Sequence, residues 1–289
     1  MAASVLFDAP GPRTRARHRV YALASSIVLG AVGTLVVWKL WDAGQFDPDL
    51  WEPFVTPRIV NALLWGLGQT LLMAVVAVLG AVVLGFVLGI AKLSDHAVIR
   101  WPSWLVVEFF RAVPLFMLII GTWYLLGPQP GGNGYWAVVI GLWLYNGSVI
   151  AEITRAGIGA LPKGQAEAAY ALGMRKSTVM RLIPLPQAVK IMLPAIISQS
   201  IVALKDTSLG YAVLAPGLTF IGKQVFGEFR NIIPTALVMA ATYIVLNLLL
   251  TWLATWAQRR YAGERKVDMT VVAAGLAPVG DDGGTGDAA

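Results

Sequence analysis

Glu167-Ala168-Ala169, followed after three residues by Gly173 and after nine more by Ile183-Pro184-Leu185-Pro186, forms a charged, glycine-hinged stretch between long apolar runs. Leu161-Pro162 predicts the start of a short helix, because proline lacks an N–H that the first turn would leave unpaired in any case. Gly173 predicts its end. Ser177 is the expected N-cap of a second short helix, which Pro184 and Pro186 prevent from running on. The stretch reads as two short helices with a bend between them, set in water beside a membrane where another protein can work them.

The rest of the chain supplies the membrane. Its 289 residues are 57% hydrophobic and 13% charged, against the roughly one quarter charged that soluble domains carry. There is no cysteine, which excludes disulfides, thiolate zinc, iron–sulfur clusters and thiol chemistry. With His18 and His96 the only histidines, no metal site is expected. The net charge of +6 is not a nucleic-acid footprint, because the basic residues flank apolar runs instead of gathering in one patch with aromatics.

Roughly 20 apolar residues cross the hydrocarbon core, and by that rule six spans are expected, at 20–41, 63–93, 104–126, 135–153, 189–209 and 233–257. The second is long enough to require tilt or an interfacial first turn. Residues 210–230 are too interrupted to span and read as a re-entrant or extracytoplasmic connector. Arg13, Arg15, Arg17 and Arg19 precede the first span, while Arg259, Arg260, Arg265 and Lys266 follow the last. The excess of basic residues places both ends, and the Glu167 loop with Arg155, Lys163, Arg175, Lys176, Arg181 and Lys190, in the cytoplasm. Asp42, Asp47, Asp49 and Glu52 fall outside, as does the uncharged loop 127–134. Trp101, Trp104, Trp252 and Trp256 sit at span ends, where an aromatic belt belongs. The first apolar run is too long for a signal peptide and lacks a small-x-small cleavage site, so it reads as a retained anchor.

The spacing E-A-A, three residues, G, nine residues, I-x-L-P resembles the EAA loop of ABC-importer permease subunits at each defining position. Leu161-Pro162-Lys163-Gly164-Gln165, Leu185-Pro186-Gln187-Ala188, Leu204-Lys205-Asp206-Thr207-Ser208-Leu209 and Glu108-Phe109-Phe110-Arg111-Ala112-Val113-Pro114 resemble the polar amino-acid branch. The likeness extends over about 66–260. It implies an all-α type I importer permease in a bacterial cell membrane, with the loop at 152–187 as its cytoplasmic coupling element. By the same resemblance Glu167, Ala168, Ala169, Gly173, Leu185 and Pro186 dock on a separate ATPase subunit. A second permease, identical or paralogous, and an extracytoplasmic amino-acid-binding protein complete the implied assembly. The chain itself binds no cofactor: it lacks G-x-x-x-x-G-K-[ST], so ATP belongs to the partner. Its expected organisation is a basic tail at 1–19, an added helix and external loop at 20–60, the permease domain at 61–260 and a disordered tail at 261–289. The added span and the Gln45-Phe46-Asp47-Pro48 to Trp51-Glu52-Pro53-Phe54 segment resemble glutamate-uptake permeases of actinobacteria, which makes glutamate the expected substrate.

Ionisable residues within spans are costly and carry functional hypotheses. Glu108 and Arg111, three apart, share a helix face and can neutralise one another; they are either a structural pair or a gate at the cytoplasmic mouth. Lys205 and Asp206, with Thr207 and Ser208, offer the cation, anion and hydroxyls that an α-amino acid needs. Adjacent residues do not share a face, so one of the pair can meet the translocation path while the other holds a neighbouring helix. Ser198, Gln199 and Ser200 line the same path or bond helices together. Asn146, Gly147 and Ser148, and the glycines Gly80, Gly85 and Gly89, read as close-packing positions. Two alternatives remain: an ion-coupled secondary transporter or channel using Lys205 and Asp206, and a membrane-embedded enzyme, for which no His-rich or paired-acid catalytic constellation is present.

Overall fold

The computed structural model describes residues 11–127 and 133–261. The expected disordered tail beyond Tyr261, with Arg265 and Lys266, and most of loop 127–134 lie outside the described residues. The chain opens with α1 (Pro12–Asp42), a short α2 (Pro48–Trp51) and a 3-10 turn (Glu52–Val55), then α3 (Pro57–Ala91). Helices α4 (Ala97–Ala112), α5 (Leu115–Leu126) and α6 (Gly134–Gly159) follow. The glycine-hinged stretch forms α7 (Lys163–Ala171) and α8 (Lys176–Leu182), leading into α9 (Pro184–Asp206). A 3-10 turn (Thr207–Val213), α10 (Leu218–Phe229) and α11 (Ile232–Tyr261) complete the bundle.

Five helices, α1, α3, α6, α9 with its 3-10 extension, and α11, are each long and apolar enough to cross a bilayer. The expected third span is not one helix. Val113 is extended and Pro114 caps the next helix, because the residue before a proline is pushed out of helical backbone. α4 and α5 therefore meet at 104°, and six spans result only if this bent pair is counted as one. The fifth span begins earlier than position 189. Pro184 ends α8 and also occupies the first turn of α9, the one helical position where its missing N–H is harmless.

The core is the α3–α6 crossing. Ala77, Ala81, Gly85 and Gly89 recur every four residues on α3 and are all buried, so two backbones approach along one small-residue stripe. Gly80 lies against the Trp143 indole of α6 in the same crossing. Across the bundle, Gln199 of α9 donates to Asn146 Oδ1 of α6 at 2.8 Å, and Asn146 donates to Leu142 O. Gln199 is thus helix-bonding glue. α1 is the opposite case: from Arg13 to Lys39 every described residue is exposed.

The connector 210–230 enters the bundle. Leu218 N–H donates to Thr70 Oγ1 at 2.8 Å, and Thr70 lies 13 residues into α3, about 20 Å from its start at 1.5 Å per residue. From there α10 runs back toward the α3 start, where Ile221 and Val225 pack on Ile59 and Glu228 pairs with Arg58 at 3.7 Å. At its irregular start Ala215, Gly217 and Leu218 are buried in protein while Leu214 is exposed, and burial against protein is what lets a membrane tolerate irregular backbone.

Candidate functional site

Three constellations lie along the bundle. The first is the glycine-hinged segment. Pro162 stands at the N-cap of α7, one position ahead of the helix. At its other end Gly173 N–H donates to Tyr170 O and Met174 N–H to Ala169 O, the paired closure of a left-handed glycine cap. Gly173 has φ +77° and open space around it. The expected N-cap Ser177 lies inside α8. Arg175 takes the cap instead, its carbonyl accepting from Thr178 and Val179, because the chain leaves Gly173 extended and enters the helix at once. Glu167 and Ala168 are exposed and Ala169 is buried; Leu185 is half-buried and Pro186 exposed in the first turn of α9. Gln187 donates to Gln165 at 2.7 Å, holding α7 against α9.

The second constellation is ionic and gathers where α3, α4 and α6 converge. Glu108 and Arg111 pair at 3.4 Å, as their spacing predicts, yet they are only one edge of a larger cluster. Lys92, its side chain 5% exposed, pairs with Glu152 and lies 3.6 Å from Glu108. Arg155 donates to Glu152 at 3.0 Å. Two carboxylates thus hold three cations, and the buried ammonium sits between the acids, which is what its desolvation requires. Lys92 was missed in the sequence. The signal was present: a lone cation closing a long apolar run. Nearby, Lys176 at the start of α8 pairs with Asp95 in the α3–α4 turn. Chiefly through that hydrogen bond, Asp95 is held below the ordinary carboxylate range.

The third constellation is a cavity of about 610 Å³ between the end of α9, α10 and α11. Lys205 and Ser208 line it; half-buried Asp206 and buried Thr207 do not. Successive helical residues point about 100° apart, so the two charges of the adjacent pair part company. Thr207 spends its hydroxyl on Leu204 O at 2.6 Å. The opposite wall is a stripe of α11, Met239, Tyr243, Asn247 and Thr251, spaced by four. That spacing was legible and went unread.

Two atoms on this wall are buried without a hydrogen bond of full geometry, Tyr243 Oη and Asn247 Oδ1. The tyrosine hydroxyl stands beside those of Thr70, Thr207 and Thr219. Thr70 accepts from Leu218 N–H and keeps its own proton, while Thr207 and Thr219 donate to Leu204 O and Ser208 O and keep lone pairs, so the tyrosine hydroxyl can be met within the wall, whereas Asn247 Oδ1 has no partner among the described residues. A buried polar atom left unmatched costs about 1–3 kcal/mol. The wall is therefore poised for a polar guest.

Residues 81–263 match the family described as the binding-protein-dependent transport system inner membrane component. The chain belongs to that family. This membership fits the bundle of apolar helices and sets aside the self-sufficient transporter and the enzyme as readings of the fold. Among relatives, the transport component is 42% identical over 227 residues to the glutamate transport system permease protein GluD of Corynebacterium glutamicum, covering 77% of this chain and 83% of the relative. It is 30% identical over 287 residues to the arginine transport system permease protein ArgU of the same organism, covering 92% and 87%. Among solved structures, an amino acid ABC transporter crystallised with histidines superposes with a TM-score of 0.64 at 28% identity, over 70% of this chain and 95% of that one.

Proposed function

We propose that this permease carries an acidic amino acid, glutamate first, through the cavity between α9, α10 and α11. Asn247 Oδ1, buried without a partner on the wall that Lys205 also lines, carries that reading. In it, the Lys205 ammonium meets a carboxylate, while Asn247 Oδ1 and the tyrosine hydroxyl receive the substrate ammonium, so neither charge is left unpaired in low dielectric. Ser208, Thr219 and Thr251 line the remainder. Asp206 acts from behind Lys205, setting the field of the cation without touching substrate. The relative named for glutamate transport supports the choice of substrate.

The chain does no chemistry of its own. Energy comes from a separate ATPase that grips Glu167, Ala168, Ala169, Gly173, Leu185 and Pro186, and substrate arrives from an extracytoplasmic binding protein. Two permease subunits, identical or paralogous, face each other. Both ends and the Glu167 loop lie in the cytoplasm, on the strength of the basic residues that flank the spans. The cluster around Lys92 then stands at the cytoplasmic mouth, with Glu108 and Arg111 on its rim.

Reconstitution in proteoliposomes with the ATPase and binding protein tests this reading. Labelled glutamate uptake should be competed by aspartate ahead of neutral or basic amino acids, and Lys205→Met should lose uptake while the complex assembles. Uptake of glutamate unaltered in Lys205→Met would remove the cavity from the path.

A further inference from the structure

The turn between α3 and α4 is held on two sides, by α6, which leads into α7, and by α8, which follows the glycine hinge. On one side Lys92 is bound to Glu152, seven residues before α6 ends. On the other, Asp95 is bound to Lys176, the first residue of α8. Arg100 locks the turn from within, donating to Ser94 O at 3.0 Å and Asp95 O at 3.3 Å. The chain thus leaves α6, passes through α7, bends at Gly173 and returns to the same turn. Among the described residues, Asp95–Lys176 is the one ion pair that joins α7 or α8 to another part of the bundle.

The pair is a poor device for stability. Its side chains are 72% and 48% exposed, and exposed pairs contribute little because water and salt screen them. Its place is what distinguishes it. α8 can swing on Gly173, whose surroundings are open, and α4 ends at the Val113–Pro114 break. Beyond that break α5 places Ile119 in the cluster that also holds Val213 of the 3-10 turn, with Leu209 packed against it. That turn carries Ser208, on the wall of the cavity.

We propose that Asp95 and Lys176 are positioning residues of the transport cycle: their ion pair carries the displacement of α8 into α4, and through the Val113–Pro114 break to the turn beside the cavity. This rests on the reading of α7 and α8 as the place the ATPase grips. The pair touches neither nucleotide nor substrate. It sets how much of each ATPase stroke reaches the path.

The test is the number of amino acids taken up per ATP hydrolysed, in proteoliposomes holding the full complex. Asp95→Asn and Lys176→Gln should each leave ATPase recovery and binding-protein-stimulated hydrolysis in place, while uptake per ATP falls by about two- to fivefold, the range an exposed ion pair can account for. Exchanging the charges, Asp95→Lys with Lys176→Asp, should restore the ratio. A merely structural pair would lower yield and leave the ratio alone. An unchanged ratio in both single variants overturns the proposal, as does loss of ATPase recovery or a reduced ratio that the exchange fails to restore. Absence of uptake by the unaltered complex would instead count against the importer reading itself.

Discussion

Gly85 of α3 lies so close to Ile150 of α6 that a β-carbon added at the glycine would fall 2.5 Å from Ile150 Cγ2 and 3.0 Å from Gly147 O. One of those neighbours is backbone and cannot step aside. Gly85→Ala should therefore destabilise the bundle by about 1–3 kcal/mol, the usual cost of overpacking. Gly68→Ala, on the same helix but with nothing within 4 Å, is the control, and a gain of up to about 1 kcal/mol is expected there. Thermal unfolding in detergent separates the two. Equal melting temperatures would contradict the tight crossing.

Gly173 holds φ +77°, a conformation that costs a branched or bulky residue about 1–2 kcal/mol. Gly173→Leu should unseat the α7–α8 bend and reduce ATPase co-purification with membrane insertion intact, and Glu167→Lys should do the same by reversing an exposed charge. Full ATPase recovery and full uptake in both variants would end the assignment of this segment to the ATPase.

The cavity wall gives a sharper set of variants. Asn247→Leu removes an oxygen without a partner together with the Nδ2 bond to Tyr243 O, and Tyr243→Phe removes a hydroxyl set among those of Thr70, Thr207 and Thr219, so the complex should still assemble while uptake per assembled complex drops at least tenfold, about 1.4 kcal/mol of lost recognition. Asp206→Asn, which keeps shape but removes charge, should weaken uptake less than Lys205→Met. Reduced yield of the complex without a change in uptake per complex would make these atoms structural.

Asp95 sets a pH dependence. Its folded value is depressed, first by hydrogen bonding to Lys176 and then by the charges of Lys176, His96 and Arg100. A depressed carboxyl contributes above its unfolded value and loses that contribution as pH falls through the folded one. The small melting difference between the unaltered protein and Asp95→Asn should thus be constant from pH 8 to about pH 5 and close only below the ordinary carboxylate value near 4. A difference that changes between pH 6 and 7 would count against Asp95 as its source.

The sequence displayed the spans because apolar runs report burial in lipid directly, and it displayed the hinge because Gly173 is followed by prolines at 184 and 186. It did not display the kink. Val113-Pro114 sits inside a stretch, 104–126, that is long and apolar enough to pass for one span despite Glu108 and Arg111, and the backbone preference before proline is what separates α4 from α5. The glycines at 80, 85 and 89 were read correctly as a crossing, since their spacing is local. Lys92 and Glu152 are 60 residues apart, and no periodicity connects them. Tyr243 and Asn247 were local and legible, but a search for charge passes over uncharged polar atoms.

The break at Val113–Pro114 also bears on how the chain is made. α4 has 16 residues and α5 has 12, about 24 Å and 18 Å of helix, and neither length covers a hydrocarbon core of about 30 Å. Neither can leave the insertion machinery alone as a settled segment. Their partner is synthesised afterwards: α5 packs on α6, with Ile119 against Gly141. The 97–126 stretch therefore relies on α6, made some 20 residues later, to cover it, whereas α3 is long and apolar enough to cross on its own.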